Sequence, residues 1–220
     1  SRLVRVLRLF RSQGQSGLAK DVLANRGQYA GFITLISAMT VLSVSSVVMV
    51  QSESRVAEAN ITTGGVGKVD ELFAHRGFTS SVHTRTNAEG VEELIRQSRA
   101  MDRGFVIANL GDFDTLYGHR NDPGGFARAL EAFDEVLPAI GETVRPGDLF
   151  IVTADHGNDP ITPSTDHSRE YVPLLCYPGP GRPGRSLGTR DSFADIACTV
   201  AEYFELSSSF PGTSFLSHVA

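Results

Sequence analysis

The feature that most constrains the fold of this chain is an alternation, from about residue 66 onward, of short apolar runs with longer amphipathic stretches. The runs at 104–110 and 148–153 carry almost no charge, which is typical of strands buried on both faces of a sheet. A further strand is predicted at 171–177. Strands that alternate with helices predict an α/β fold, with a mostly parallel sheet and helices on both faces.

Three amphipathic stretches supply the predicted helices. We expect Asn87 to cap the first, Asp122 to cap the second just before Pro123, and Asp191 to cap the third. The residues expected to face the core recur at helical spacing. They are Val91, Leu94, Ile95, Met101, Phe126, Ala129, Leu130, Phe133, Val136, Leu137, Ile140, Phe193, Ile196, Val200 and Phe204.

Residues 1–60 form an atypical leader, which differs in composition from a core at 66–216. Four arginines occur between positions 2 and 11, and the run 29–50 then lacks any charge. That run is long enough to span a bilayer, although six serine and threonine residues dilute it. Two interpretations stay open: a membrane span with the basic flank inside, or a buried helix or strand pair in a scrambled segment.

The charge of the chain argues against a nucleic-acid partner. Residues 1–28 carry six Lys or Arg and one Asp, whereas the remainder carries fourteen basic against twenty-four acidic residues, a balance of −10. An acidic surface repels phosphate backbones unless a bound metal ion reverses the local sign. Cys176 and Cys198 lie in apolar surroundings without metal-ligand spacing, so we expect them to be core residues and not a disulfide.

Acidic and histidine side chains cluster where the predicted strands end. They are Asp112, Asp114 and His119 after the strand at 104–110, Asp155 and His156 after the strand at 148–153, and His167 eleven residues further on. Carboxylates and neutral imidazoles are ligands that suit Mn²⁺ or Zn²⁺. The pattern therefore predicts a divalent-metal site at the carboxyl edge of the sheet, although any single aspartate here could equally be a helix cap.

Four segments together resemble the phosphopentomutases of the alkaline phosphatase superfamily. They are 109–123 (NLGDFDTLYGHRNDP), 153–160 (TADHGNDP), 165–175 (TDHSREYVPLL) and 212–216 (GTSFL). This resemblance implies an alkaline-phosphatase-like core and a cytoplasmic enzyme that interconverts the 1- and 5-phosphates of ribose and deoxyribose. It also implies two Mn²⁺ ions and a phosphorylated threonine.

The resemblance carries roles to individual positions. By motif, Asp114, His119 and His167 match the ligands of one ion, and Asp155 and His156 match two ligands of the other. Lys68 matches a family lysine that we interpret as a phosphate contact. Positions expected to orient the ligands are Asp112, Asp166, Arg169 and Glu170. Arg169 could equally form a surface ion pair.

Residues 1–60 match none of the family's remaining parts, which are a first strand with an aspartate ligand, a loop with the nucleophilic threonine, and a cap domain. We therefore expect a truncated core that lacks the cap and whose nucleophile is not identified. Thr62 and Thr63 only faintly resemble the nucleophile loop and are otherwise expected in a turn. A phosphatase on the same metal platform, or a metal-binding module without catalysis, remains an alternative to an impaired mutase.

Overall fold

A computed structural model describes residues 46–51, 61–73, 77–180, 184–207 and 209–219. Within these ranges six strands form one sheet in the order β3-β2-β4-β1-β5-β6. The strands are β1 Ser46–Gln51, β2 Thr62–Val66, β3 Ser80–Val82, β4 Gly104–Asn109, β5 Leu149–Thr153 and β6 Leu174–Tyr177.

Strand directions confirm the predicted mostly parallel sheet. β2 runs parallel to β3 and β4, whereas β1 is antiparallel to both of its neighbours, β4 and β5. β6 is antiparallel to β5. The strands β2, β3, β4 and β5 consequently all point the same way, and the loops that follow β4 and β5 leave the sheet at the same edge.

β1 comes from the predicted leader. Residues 46–50 belong to the apolar run 29–50, and the strand pairs on one side with β4 and on the other with β5. A segment rich in valine favours such a position, since β-branched side chains fit a pleated sheet. The sheet therefore extends beyond the predicted core at 66–216, and β2 also begins earlier, at Thr62.

The predicted membrane span falls mostly outside the described residues, because 29–45 are not among them. In the part of the chain that the structure describes, no helix combines the length and apolar character needed to cross a bilayer.

Five α-helices and one π-helix occur in the described ranges. They are α1 Val69–Leu72, α2 Asn87–Ala100, the π-helix Phe113–Gly118, α3 Pro123–Gly141, α4 Ala194–Tyr203 and α5 Leu216–Val219. The predicted cap of α3 is confirmed: the Asp122 side chain accepts a hydrogen bond from the backbone N–H of Gly125 at 2.8 Å.

The other two predicted caps, Asn87 and Asp191, are wrong. In each case the side chain of a neighbouring residue accepts the hydrogen bond from the start of the helix. Thr86 caps α2, and its side chain accepts from the N–H of Glu89. Asn87 is instead paired with Asp112 through two side-chain-to-backbone hydrogen bonds. Near α4, the Ser192 hydroxyl accepts from the N–H of Ala194. The helix begins at Ala194, whereas a cap at Asp191 predicts a start at residue 192.

Helices cover both faces of the sheet, as predicted. Alternate residues of β4 and β5 point to opposite faces, so each strand supplies two separate cores. On one face Val106 and Val152 pack in a cluster with residues of α2 and α3. On the other face Ile151 packs with Tyr203 of α4 and Leu216 of α5.

Cys176 on β6 packs against this second cluster, and both cysteines are free thiols, as expected. Burial raises the pKa of the Cys176 thiol to about 12.

Candidate metal centre

The centre is built on two loops that leave the same edge of the sheet. The first loop follows β4 and contains the π-helix, and the second follows β5 and runs from residue 154 to 173. An isolated bridge between Gly157 and Ser168 folds the second loop back on itself, which returns His167 to the neighbourhood of His156. Close approach requires glycine there, because a Cβ on Gly157 would lie 2.7 Å from the Ser168 carbonyl oxygen.

The π-helix brings Asp114 and His119 together. In an α-helix, residues five positions apart are rotated by about 140° and point to different sides. Here the N–H of His119 donates to the carbonyl of Asp114, five residues earlier, at 2.9 Å. The wider turn leaves the Asp114 Oδ2 and His119 Nε2 atoms 3.3 Å apart. π-Helical turns are rare and are frequent at functional sites.

His167 completes a group of three with these two residues. Its Nε2 lies 3.1 Å from the Nε2 of His119 and 3.5 Å from the Oδ1 of Asp114. The structure thus brings together the three residues that the resemblance assigns to one ion.

Hydrogen bonds at the far side of two rings orient the histidines for metal binding. The Nδ1 of His119 lies 2.5 Å from the carbonyl oxygen of Thr165, and the Nδ1 of His156 lies 3.2 Å from that of Gly157. A carbonyl only accepts, so each Nδ1 donates, which leaves the Nε2 of a neutral ring as the nitrogen that can bind a metal ion. A backbone carbonyl on Nδ1 is the usual arrangement for a histidine that binds metal through Nε2.

His156 joins the same group. Its ring stacks on that of His167 with 3.7 Å between centroids, and one ligand atom from each of Asp114, His156 and His167 lies within 4.8 Å of the others. Asp155 is exposed at the rim, with its Oδ1 3.6 Å from the Nε2 of His156. His156 therefore lies near Asp114 and His167 as well as near Asp155, its predicted partner.

The geometry of the group fits a divalent cation. Ligands about 2.0–2.2 Å from a tetrahedral ion lie about 3.3–3.6 Å from one another. The two Nε2 atoms of His119 and His167 lie 3.1 Å apart, slightly below this range, whereas Asp114 lies within it, with Oδ2 3.3 Å from His119 and Oδ1 3.5 Å from His167. The Nε2 atoms of His119 and His167 approach to 3.1 Å, a distance that either a hydrogen bond between the two rings or a bound cation satisfies. A mixed set of one carboxylate and imidazoles suits Mn²⁺ or Zn²⁺.

Sequence reasoning assigned no role to Asn158, although its motif was part of the resemblance. The side-chain amide of Asn158 donates to the Oδ1 of Asp114 at 2.5 Å, and the residue is 1% exposed. The contact joins residues 44 positions apart, so no local pattern could have indicated it. Asn158 is the buried polar contact that supports the Asp114 carboxylate.

Lys68 lies in a cleft beside the centre, as its proposed phosphate contact requires. The cleft has a volume of about 260 Å³, and Asp114, Asp155 and His156 line it together with Lys68. The chain turns at Gly67, whose φ of +85° favours glycine and which lies against the backbone of β4. Lys68 itself is exposed.

The four residues expected to orient the ligands occupy different places. Asp112 is bonded to Asn87 and so joins the first loop to the start of α2. Asp166 and Arg169 are exposed on the second loop. Glu170 lies beside Gly157 and lines a separate pocket near α4.

Thr62 and Thr63 lie at the opposite edge of the sheet, in strand and not in the expected turn. They begin β2 opposite Gly104 and Phe105, the first residues of β4, whereas the centre follows the last residue of β4. The Thr63 hydroxyl donates to the carbonyl of Gly77 at 2.7 Å. Neither threonine reaches the centre, so the faint resemblance to a nucleophile loop is not a functional one.

Comparison with known proteins identifies the family. A family model described as the metalloenzyme superfamily matches residues 24–208. The chain belongs to the metalloenzyme superfamily. Membership implies divalent-metal binding, in agreement with the geometry of the centre, and the matched range begins inside the predicted leader.

Curated relatives of this metalloenzyme are phosphopentomutases, which confirms the resemblance seen in the motifs. The chain is 56% identical over 165 residues to the phosphopentomutase of Anaeromyxobacter sp. (strain K), covering 75% of the chain and 42% of that relative. It is 50% identical over 159 residues to the one from Caldanaerobacter subterraneus subsp. tengcongensis, covering 72% and 40%. The chain thus spans about two-fifths of the length of the curated relatives it matches.

Proposed function

We propose that this chain supplies the metal-binding core of a phosphopentomutase, an isomerase that moves a phosphoryl group between O1 and O5 of ribose or deoxyribose. The observation that carries the proposal is the convergence of Asp114, His119, His156 and His167 at one edge of the sheet. It occurs in a chain that is 56% identical, over three-quarters of its length, to a protein named phosphopentomutase.

The residues of the centre suit two Mn²⁺ ions in this proposal. Asp114, His119 and His167 hold one ion, while Asp155 and His156 hold the other. Bound divalent ions orient phosphoryl oxygens and neutralise charge that develops during transfer. Asp114 and Asp155 contribute the negative charge that retains the cations, and the neutral imidazoles contribute Nε2 lone pairs.

Lys68 binds the substrate phosphate in this proposal. An ammonium group is a compact positive charge on a flexible stem, so it can follow a phosphate across a cleft. The cleft that Lys68 shares with Asp114, Asp155 and His156 supports the role. Since pentose phosphates are cytosolic metabolites, we also propose a cytoplasmic location.

Two assays separate this proposal from its alternatives. The first supplies Mn²⁺ and ribose 1-phosphate and measures ribose 5-phosphate with a coupled enzyme. The second measures hydrolysis of an activated aryl phosphate ester. Interconversion supports the mutase, hydrolysis without interconversion favours a phosphatase, and Mn²⁺ binding without either reaction favours a module without catalysis.

Substrate binding gives a sharper test of Lys68. In the presence of Mn²⁺, calorimetry should show weaker binding of ribose 5-phosphate to Lys68→Ala than to wild type. The matched control is Arg96→Ala, which removes an exposed cation from a pocket lined by Thr62, at the edge of the sheet opposite the centre. Equal binding by wild type and Lys68→Ala would contradict the assigned role.

A further inference from the structure

Asn158 links the two loops that form the metal centre. It lies two residues after His156 in the loop that follows β5, and it is almost fully buried. Its amide donates across to Asp114, which lies in the π-helix of the other loop. One hydrogen bond therefore connects the loop that carries Asp155 and His156 to the carboxylate that faces His119 and His167.

The bond fixes the orientation of the Asp114 carboxylate. Oδ1 accepts from the Asn158 amide and also lies 3.5 Å from the Nε2 of His167, whereas Oδ2 faces the Nε2 of His119 at 3.3 Å. A carboxylate rotates easily about its last torsion, so without this donor its plane would turn away from the two histidines. Hydrogen bonds from surrounding residues commonly fix a metal-binding carboxylate in this way.

Gly118, the last residue of the π-helix, leaves room for the Asn158 amide. A Cβ on Gly118 would overlap the Asn158 amide, 2.5 Å from its Cγ and 2.8 Å from its Oδ1. Such distances are too short for any stable contact, so glycine is required where the helix meets this side chain. The helix that carries Asp114 thereby also supports the residue that orients Asp114.

We infer that Asn158 is a positioning residue for the metal centre, which acts by holding the Asp114 carboxylate with Oδ1 toward His167 and Oδ2 toward His119. The inference rests on the proposed metal-binding function. It assigns Gly118 a defined part, which is to leave room for the Asn158 amide. It also predicts that the effects of changing these two residues depend on each other.

The test is Mn²⁺ titration calorimetry on the full chain and four variants. Asn158→Ala should weaken Mn²⁺ binding about 10- to 100-fold, the usual effect of removing a residue that orients a ligand. Gly118→Ala should weaken binding similarly, because its methyl group displaces the amide. In the double variant the methyl group meets no amide, so binding should be no weaker than in Asn158→Ala alone.

Asn121→Gly is the matched control. It removes another asparagine amide of the first loop, which donates to the carbonyl of Thr162, and glycine tolerates the φ of +50° at this position. Its affinity for Mn²⁺ should equal that of wild type. Asn158→Leu, which keeps the side-chain volume but has no donor, replaces Asn158→Ala if the alanine variant does not fold.

The outcomes distinguish the inference from the proposed function. If wild type binds no Mn²⁺, the proposed function is wrong. If wild type binds Mn²⁺ and the Asn158 variants bind it equally well, the positioning role is wrong. Independent, additive losses for Gly118→Ala and Asn158→Ala would likewise overturn it, because a general structural defect at each site would add and would not cancel.

Discussion

Asp195 joins α4 to the backbone at Thr213, and its contacts allow an estimate of how much its removal should destabilise the fold. Its Oδ2 lies 2.6 Å from the Nε of Arg190, and its Oδ1 accepts from the N–H of Thr213 at 2.8 Å. The Asp195 and Arg190 side chains are 7% and 21% exposed. Removing one partner of such a buried pair costs about 3–5 kcal/mol.

We expect the lower end of that range, about 3 kcal/mol, because Arg190 retains its bond to the carbonyl of Thr213 and some contact with water. For a chain of this length, that loss corresponds to a fall in Tm of roughly 6–12 °C. Thermal unfolding of Asp195→Ala at pH 7 measures it. Asp191→Ala, which removes an exposed aspartate nearby, is the control and should leave Tm nearly unchanged.

The same interaction predicts a pH dependence. The backbone hydrogen bond from Thr213 and the Arg190 guanidinium lower the pKa of Asp195. A lowered pKa contributes stability that is complete above the unfolded value of about 3.9 and is lost as pH falls through the folded pKa. The difference in unfolding free energy between wild type and Asp195→Asn should therefore shrink below about pH 4. Equal stabilities at pH 7, or a difference that grows in acid, would refute this reasoning.

Three further predictions concern the centre, the sheet and the buried thiol. Asp114→Ala and His119→Ala should each abolish binding of one divalent ion in Mn²⁺ calorimetry, because a ligand is lost and the remaining groups cannot replace it. Unchanged stoichiometry and affinity would contradict the assignment of these two residues as metal ligands. Deleting 1–60 removes β1 and should cause aggregation through the uncovered edges of β4 and β5. Equal solubility of the truncated chain and the full chain would contradict the place of β1. Cys176 should resist alkylation at pH 8 until the chain is unfolded, since burial raises its pKa to about 12. Rapid alkylation of Cys176 in the folded chain would contradict this prediction.

Sequence periodicity predicted the layers of the fold well because the relevant signals are local. The apolar run at 104–110 corresponds to β4, and the Asp122 cap with Pro123 marks the first turn of α3. Alternating strands and helices predicted where the strands end, and hence the edge at which the acidic and histidine side chains meet. Of the predictions about the fold, the position of this edge was the most useful for locating the candidate metal centre.

The remaining features depend on contacts between distant residues. No pattern of hydrophobicity signals a six-residue π-helix, so the close approach of Asp114 and His119 was not visible from their spacing. The role of Asn158 depends on a bond across 44 positions. Residues 46–50 belong to an uncharged run that suits a membrane span and a buried strand equally, and their pairing with β4 and β5 identifies this part of the run as a strand of the sheet.

The most direct test of the central claim is anomalous diffraction at the manganese edge from crystals of the full chain grown with Mn²⁺. The account predicts a peak at the carboxyl edge of the sheet, within bonding distance of the Asp114 carboxylate and of the Nε2 atoms of His119 and His167. The absence of any peak at this edge, or peaks only at other sites, would contradict it.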